Sequence, residues 1–190
     1  MQSGQTHPHN QNGAVLVISL ILLLVMTILA ISGSQVVRLQ ERMAGNTRDT
    51  DLALQGAEAA LRDAEQYIEG LSALPAPLCT SAATTGCMMF EAGALRPTSS
   101  FDLRTAAADT SSSWWRQNAR EYRTAATNDI SGLARDPKFV IERAARICDS
   151  GEAPCSEADS LTYFRNTAQS VGGTQVADVR LESTYVRRGL

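Results

Sequence analysis

The sequence predicts an α+β protein: a long N-terminal helix, membrane-spanning in its first half, packed against a small antiparallel β-sheet. Three observations predict it. An apolar run without charge covers residues 14–31. A spacing of three and four between apolar positions then continues to Leu71, as one face of a helix requires. Two strand-like runs near the C-terminus flank Gly172-Gly173, the second of them alternating, the pattern of a half-buried hairpin.

The apolar run holds only Ser19 and Thr27 as polar interruptions. With Ser32 and Gly33 it reaches about 20 residues, which at about 1.5 Å each just spans a hydrocarbon core of ~30 Å. A polar leader, residues 1–13, precedes it and ends at the junction Gly13-Ala14. A cleaved secretory signal would want a basic start, a shorter apolar core and a small-x-small site after it. The leader contains no Lys or Arg and the core is long, although Ala30-Ile31-Ser32 has the form of such a site. An uncleaved signal anchor is the other simple reading.

The helix does not stop at the membrane. Val36, Leu39, Met43, Thr47, Thr50, Leu54, Ala57, Leu61, Ala64, Ile68 and Leu71 follow one another at helical spacing. Charged residues, Asp49 among them, fall on the other faces. Pairs such as Glu58/Arg62 add a few tenths of a kcal/mol. Gly45, Asn46 and Gly56 are weak helix formers and mark places of local loosening. Gly70, Pro75 and Pro77 end the element. One helix over residues 14–71 would measure ~85 Å.

Residues 72–190 are enough for one compact head. Residues 74–113 are rich in Pro, Ala, Ser, Thr and Gly, with the apolar patch Cys87-Met88-Met89-Phe90, and read as an irregular connection. Residues 112–123, with Trp114-Trp115, read as a short helix or a turn into the sheet, one Trp in the core and the other half-covered. Phe139-Val140-Ile141 after Pro137 is a strand signal. Residues 162–168 and 176–186 are two further strands, so a sheet of three or four strands is expected against the outer half of the helix.

The four cysteines form two close pairs, Cys79/Cys87 and Cys148/Cys155. Four cysteines allow three connectivities, and the two short local loops are the expected ones. Neither pair has the tight C-x2–4-C spacing of a structural zinc site. Disulfides persist outside the reducing cytosol and place the head there. Charge alone argues the reverse: Arg38, Arg42 and Arg48 follow the apolar run while the leader offers only His7 and His9, against the positive-inside tendency. The cysteines decide the orientation.

Several function classes lose ground on composition. Net charge is −3, too small and mixed to argue for direct nucleic-acid binding. Both histidines lie in the leader. Removing it leaves no His for Ser-His-Asp or Cys-His catalysis, or for the usual His-bearing metal sites. The carboxylates are scattered without pocket or partner, so no enzyme activity, catalytic residue or cofactor is expected. Asp149, Glu152, Glu157 and Asp159 crowd one loop, but in no EF-hand order, and read as a solvated acidic loop.

Gly13-Ala14-Val15-Leu16-Val17 ahead of a long apolar helix resembles the prepilin cleavage site of type IV pilins. Residues 39–46 (Leu-Gln-Glu-Arg-Met-Ala-Gly-Asn), Arg48-Asp49 and residues 57–61 (Ala-Glu-Ala-Ala-Leu) resemble the N-terminal signature of PilX-type minor pilins. Leu181-Glu182-Ser183-Thr184-Tyr185 suits the last strand of that group. The resemblance is specific over about 60 N-terminal residues and one of layout over the head; the leader departs from the pattern in having no basic residue.

That resemblance implies a type IV pilin fold. It implies an inner-membrane protein with its head in the periplasm, carried after assembly to the pilus tip at the cell surface. A prepilin peptidase would cut after Gly13 and methylate the amine of Ala14. Most pilins place Glu at the fifth mature position; here that position is Ile18. A buried, unpaired ammonium costs several kcal/mol, and the family's Glu is thought to neutralise the amine of the subunit already in place. A subunit with Ile18 cannot do so for a neighbour above it, yet its own Ala14 amine remains available to a Glu arriving below. The plain alternative is that Ile18 is one more apolar membrane residue. On the tip reading, the chain joins other minor pilins in a complex that primes the major pilin, with a large tip adhesin as a further partner. It would support twitching motility and attachment. A type II secretion tip pseudopilin and an anchored periplasmic binding domain with no filament role are the rival readings.

Overall fold

A computed structural model describes residues 13–82, 86, 87, 89–95, 103, 113–122, 130–151, 154, 156 and 158–190. The elements, in chain order, are α1 (Ala14–Gly70), α2 (Ser113–Asn118), β1 (Arg120–Glu121), β2 (Lys138–Cys148), β3 (Ser160–Val171) and β4 (Asp178–Arg188). The chain divides into two compact units, Met1–Gly45 and Asn46–Leu190.

In the first unit α1 begins directly after Gly13 and is long and apolar enough to cross a membrane. Its large apolar side chains, from Val15 at 66% to Ile31 at 60%, are exposed, as a lipid-facing surface requires. The two polar interruptions are satisfied within the helix. Ser19 Oγ donates to the Leu16 carbonyl at 2.8 Å, and Thr27 Oγ1 to the Leu24 carbonyl at 2.7 Å. Neither hydroxyl therefore opposes burial in hydrocarbon. The helix runs unbroken through Gly45, Asn46 and Gly56, where loosening was expected, and ends at Gly70, one residue before Leu71.

The second unit is a four-stranded antiparallel sheet, order β1-β2-β3-β4, against the outer part of α1. The α+β expectation holds. All three predicted strands are present, the first two longer than expected and the third shifted by two residues, and the segment at the tryptophans supplies both the short helix α2 and the edge strand β1.

The buried strip of α1 is Asp49, Ala53, Gly56, Ala57, Ala60, Ala64 and Ile68. It shares only Ala57, Ala64 and Ile68 with the expected apolar face. Thr47, Thr50 and Leu54 are exposed, Leu54 at 38%. The physical reason is size: a strip of Ala and Gly brings the helix axis close to the sheet, where larger side chains would hold it off. Gly56 shows how close. A Cβ there would lie 2.2 Å from Ser170 Oγ and 2.8 Å from Leu133 Cδ1.

Ala60, Ala64 and Ile68 join Met89, Phe139, Ile141, Phe164, Ala168 and Leu190 in the main core. Val140, between Phe139 and Ile141, turns to the other face. There it meets a second cluster of Ala82, Cys87, Phe90, Leu95 and Trp115. Both faces of β2 are covered at its start, which explains the continuous run Phe139-Val140-Ile141 where alternation would otherwise appear. Trp115 is buried and Trp114 half-buried; Trp114 Nε1 donates to the Ala82 carbonyl at 2.6 Å.

Candidate functional site

Two places in the chain combine unusual residues with a defined setting, one in each unit. In the first, Gly13 stands immediately before α1, Ala14 is its first residue, and both are exposed. Ile18 lies one turn further on, 57% exposed. No described carboxylate precedes Glu41 on the helix, so its first seven turns carry no acid to meet a neighbouring amine.

The second place is the contact between Asp49 on α1 and the loop joining β3 to β4. Asp49 is 7% exposed. Its Oδ1 accepts the Thr174 backbone N–H at 2.9 Å. Its Oδ2 accepts the Thr174 hydroxyl at 2.5 Å and the Ala177 N–H at 3.3 Å. The Thr174 hydroxyl, then its backbone N–H, hold this carboxyl below the ordinary Asp value of 3.8; burial pulls the other way, and the N–H groups of Ala177 and Gly173 add to the lowering. Donors that favour the charged form outweigh desolvation here. The loop can come this near because residue 172 has no side chain. A Cβ on Gly172 would sit 2.5 Å from Asp49 Oδ1 and 2.6 Å from the Asp49 carbonyl oxygen. A Cβ on Gly173 would likewise lie 2.6 Å from the Gly132 carbonyl oxygen.

The sequence reading placed Asp49 on the polar side of α1, and that is corrected: it is buried. The signal that would have found it is the stripe of small residues at 53, 56, 57, 60 and 64. Extended one turn back, that stripe reaches 49. The turn assigned to Gly172-Gly173 is observed, but the two glycines serve close approach to the helix and not chain reversal alone.

The cysteines stabilise the head. Cys79 and Cys87 form a disulfide with Cα atoms 6.0 Å apart. The loop it closes is laid on the sheet by backbone pairing. Cys79 N donates to the Met89 carbonyl and Glu91 N to that of Cys79; Phe90 N donates to the Ile141 carbonyl, and the Phe90 carbonyl accepts from Arg143 N. Glu142, 1% exposed, completes the attachment: its Oε1 accepts Gly93 N–H at 2.5 Å and its Oε2 pairs with Arg165. Cys148 is also disulfide-bonded; Cys155 lies outside the described residues.

The two described carboxylates of the acidic loop have separate partners. Asp149 Oδ2 pairs with Arg188 at 2.6 Å, and Asp159 accepts Ser150 N and Oγ. Glu152 and Glu157 fall outside the described residues. Among the described residues no cluster of three or more potential metal ligands occurs.

Two family models match the chain. The model described as PilX N-terminal matches residues 12–62. The model described as type IV pilus assembly protein PilX, C-terminal part, matches residues 75–187. No curated protein matches the chain significantly, and no solved structure does. The first match runs from the Gly13-Ala14 junction past Asp49; the second covers the strands and the loop that holds Asp49.

Proposed function

The chain belongs to the PilX family of type IV pilus assembly proteins, and from that premise we propose that it is a minor pilin that starts filaments and does not extend them. It is made as a precursor with leader 1–13. Prepilin peptidase cuts after Gly13 and methylates the amine of Ala14. Residues 14–33 hold the product in the inner membrane with its head in the periplasm. It then joins other minor pilins in a complex that primes the major pilin and ends at the tip.

The observation that carries this reading is Ile18. In pilins generally a Glu at that mature position neutralises the amine of the subunit above. A chain with Ile18 has no such acid, and burying a neighbour's unpaired ammonium against it costs several kcal/mol. Its own amine still accepts the Glu of the next subunit below. The first place in the stack is the one that satisfies both conditions. Oxidised cysteines at Cys79, Cys87 and Cys148 support an oxidising compartment for the head.

Processing is tested by producing the full chain in cells with and without a prepilin peptidase and weighing it. The expected mass falls by residues 1–13, less one methyl group, only with the peptidase. An unchanged mass overturns the reading.

A further inference from the structure

β4 is an edge strand that pairs only with β3 among the described residues. Two hydrogen bonds fix which of its backbone groups turn away from β3. Gly172 N donates to the Ala177 carbonyl and Gly189 N to the Ser160 carbonyl, and both pairs lie on the register that matches Leu161 to Arg188 and Val171 to Asp178. In an antiparallel ladder the bonded pairs alternate. The N–H and C=O groups of Val179, Leu181, Ser183, Tyr185 and Arg187 therefore turn to β3. Those of Asp178, Arg180, Glu182, Thr184, Val186 and Arg188 turn to the open edge.

On the face of the sheet that carries these six side chains, Thr167, Gln169 and Glu142 are buried, and exposure begins beyond them, at Ala145 and Ile147. The second core cluster covers that face at Val140 and the segment carrying Gly93 covers it at Glu142, whereas β2 is exposed over residues 144–147. There Ala145 pairs with Tyr163, which pairs with Val186. The next row is Ile147 against Leu161. Ile147 is 50% and Val186 43% exposed. An apolar row thus runs across the sheet and ends at the open edge. Edges are usually guarded by charge, and Arg180, Glu182 and Arg188 guard the rest of β4. Thr184, Tyr185 and Val186 form an uncharged window between Glu182 and Arg188.

We propose that this window receives an extended segment of another protein by strand addition. Main-chain bonds to the edge supply the affinity, and alternate side chains supply the selectivity. Charge complementarity names the segment: an apolar residue beside Val186, an acidic one beside Arg188 and a basic one beside Glu182. The present partners of those two charges are exposed surface pairs, Arg188 with Asp149 at 2.6 Å and Glu182 with Arg165 at 4.0 Å. Such pairs are weak enough to be exchanged. Binding at this edge does not depend on where in a filament the chain sits.

The test uses the full chain in detergent and a capped peptide, Glu-Thr-Val-Thr-Val-Thr-Arg, as probe. Hydrogen exchange should show saturable, peptide-dependent slowing at the amides of Glu182, Thr184, Val186 and Arg188. The amides of Ser183, Tyr185 and Arg187 are protected with or without peptide. Thr184→Pro removes one outward N–H and leaves the β3 ladder intact, because proline is tolerated where an edge N–H faces solvent. It should keep the melting temperature and weaken peptide binding about tenfold or more, a loss of ~1.4 kcal/mol. Val186→Lys should do the same through the side chain. No saturable protection, or equal binding by Thr184→Pro, overturns the proposal. Slowing of the same amides by protein concentration alone, without peptide, overturns it in favour of a second copy of this chain.

Discussion

The carboxylate of Asp49 holds both the backbone N–H and the hydroxyl of Thr174, a residue 125 positions away, at 2.9 and 2.5 Å. One side chain of α1 thereby fixes the loop between the last two strands. The lowered pKa of this carboxyl sets the sign of its pH dependence. A group whose pKa is lower folded than unfolded stabilises the fold above its unfolded value, and the contribution is lost as pH falls through the folded value. Stability from this contact should be complete near neutrality and decline from about pH 4 downward. Asp49→Asn should lower the melting temperature at pH 7 and flatten the acid limb of the stability curve. Thermal melts of both proteins from pH 7 to pH 2.5 check this; parallel curves would contradict it.

Gly172→Ala should destabilise by the overpacking route, roughly 1–3 kcal/mol, because its Cβ would enter the space held by Asp49. The double variant Gly172→Ala with Asp49→Ala should recover part of that loss, since the carboxylate is half of the obstruction. A double-mutant cycle in urea gives the coupling. Simple additivity would show that the two residues do not meet as described.

Breaking the Cys79–Cys87 bridge with Cys79→Ser and Cys87→Ser together should cost roughly 2–3 kcal/mol by loop-closure entropy. The loss should fall first on residues 79–95, which hang on β2 through Phe90 and Glu142. Limited proteolysis should cut there before it cuts the strands of the sheet. Unchanged resistance would mean that backbone pairing alone holds the segment.

Much of this architecture is legible in the residues. The apolar run, the helical spacing to Gly70 and the hairpin around Gly172-Gly173 follow from periodicity, which reports the type of element. The facing of α1 was less legible. Large apolar residues dominate a periodicity reading, whereas the helix buries its Ala and Gly side and leaves Leu54 half in solvent. Asp49 was misplaced for the same reason: it lies on the small-residue side, one turn before Ala53, while its hydrogen-bond donors, Thr174 and Ala177, are far along the chain. The double-sided burial of β2 was hidden because Phe90, which covers one face, comes from an irregular segment whose pairing is not periodic.

Restoring the acid at the family's position, Ile18→Glu, should change how often filaments start. On the proposed function, a chain able to neutralise the amine above it should lose its restriction to the first place and enter the shaft. Pilus number per cell and the ordering of minor pilins should shift, while head stability stays unchanged. Equal pilus number and unchanged ordering would leave Ile18 as an ordinary membrane residue.

The most direct measurement of the central claim is where the chain sits on purified pili. Gold-labelled antibody against the head, viewed on intact filaments, should mark one end and leave the shaft bare. Label spread evenly along the fibres would contradict the account.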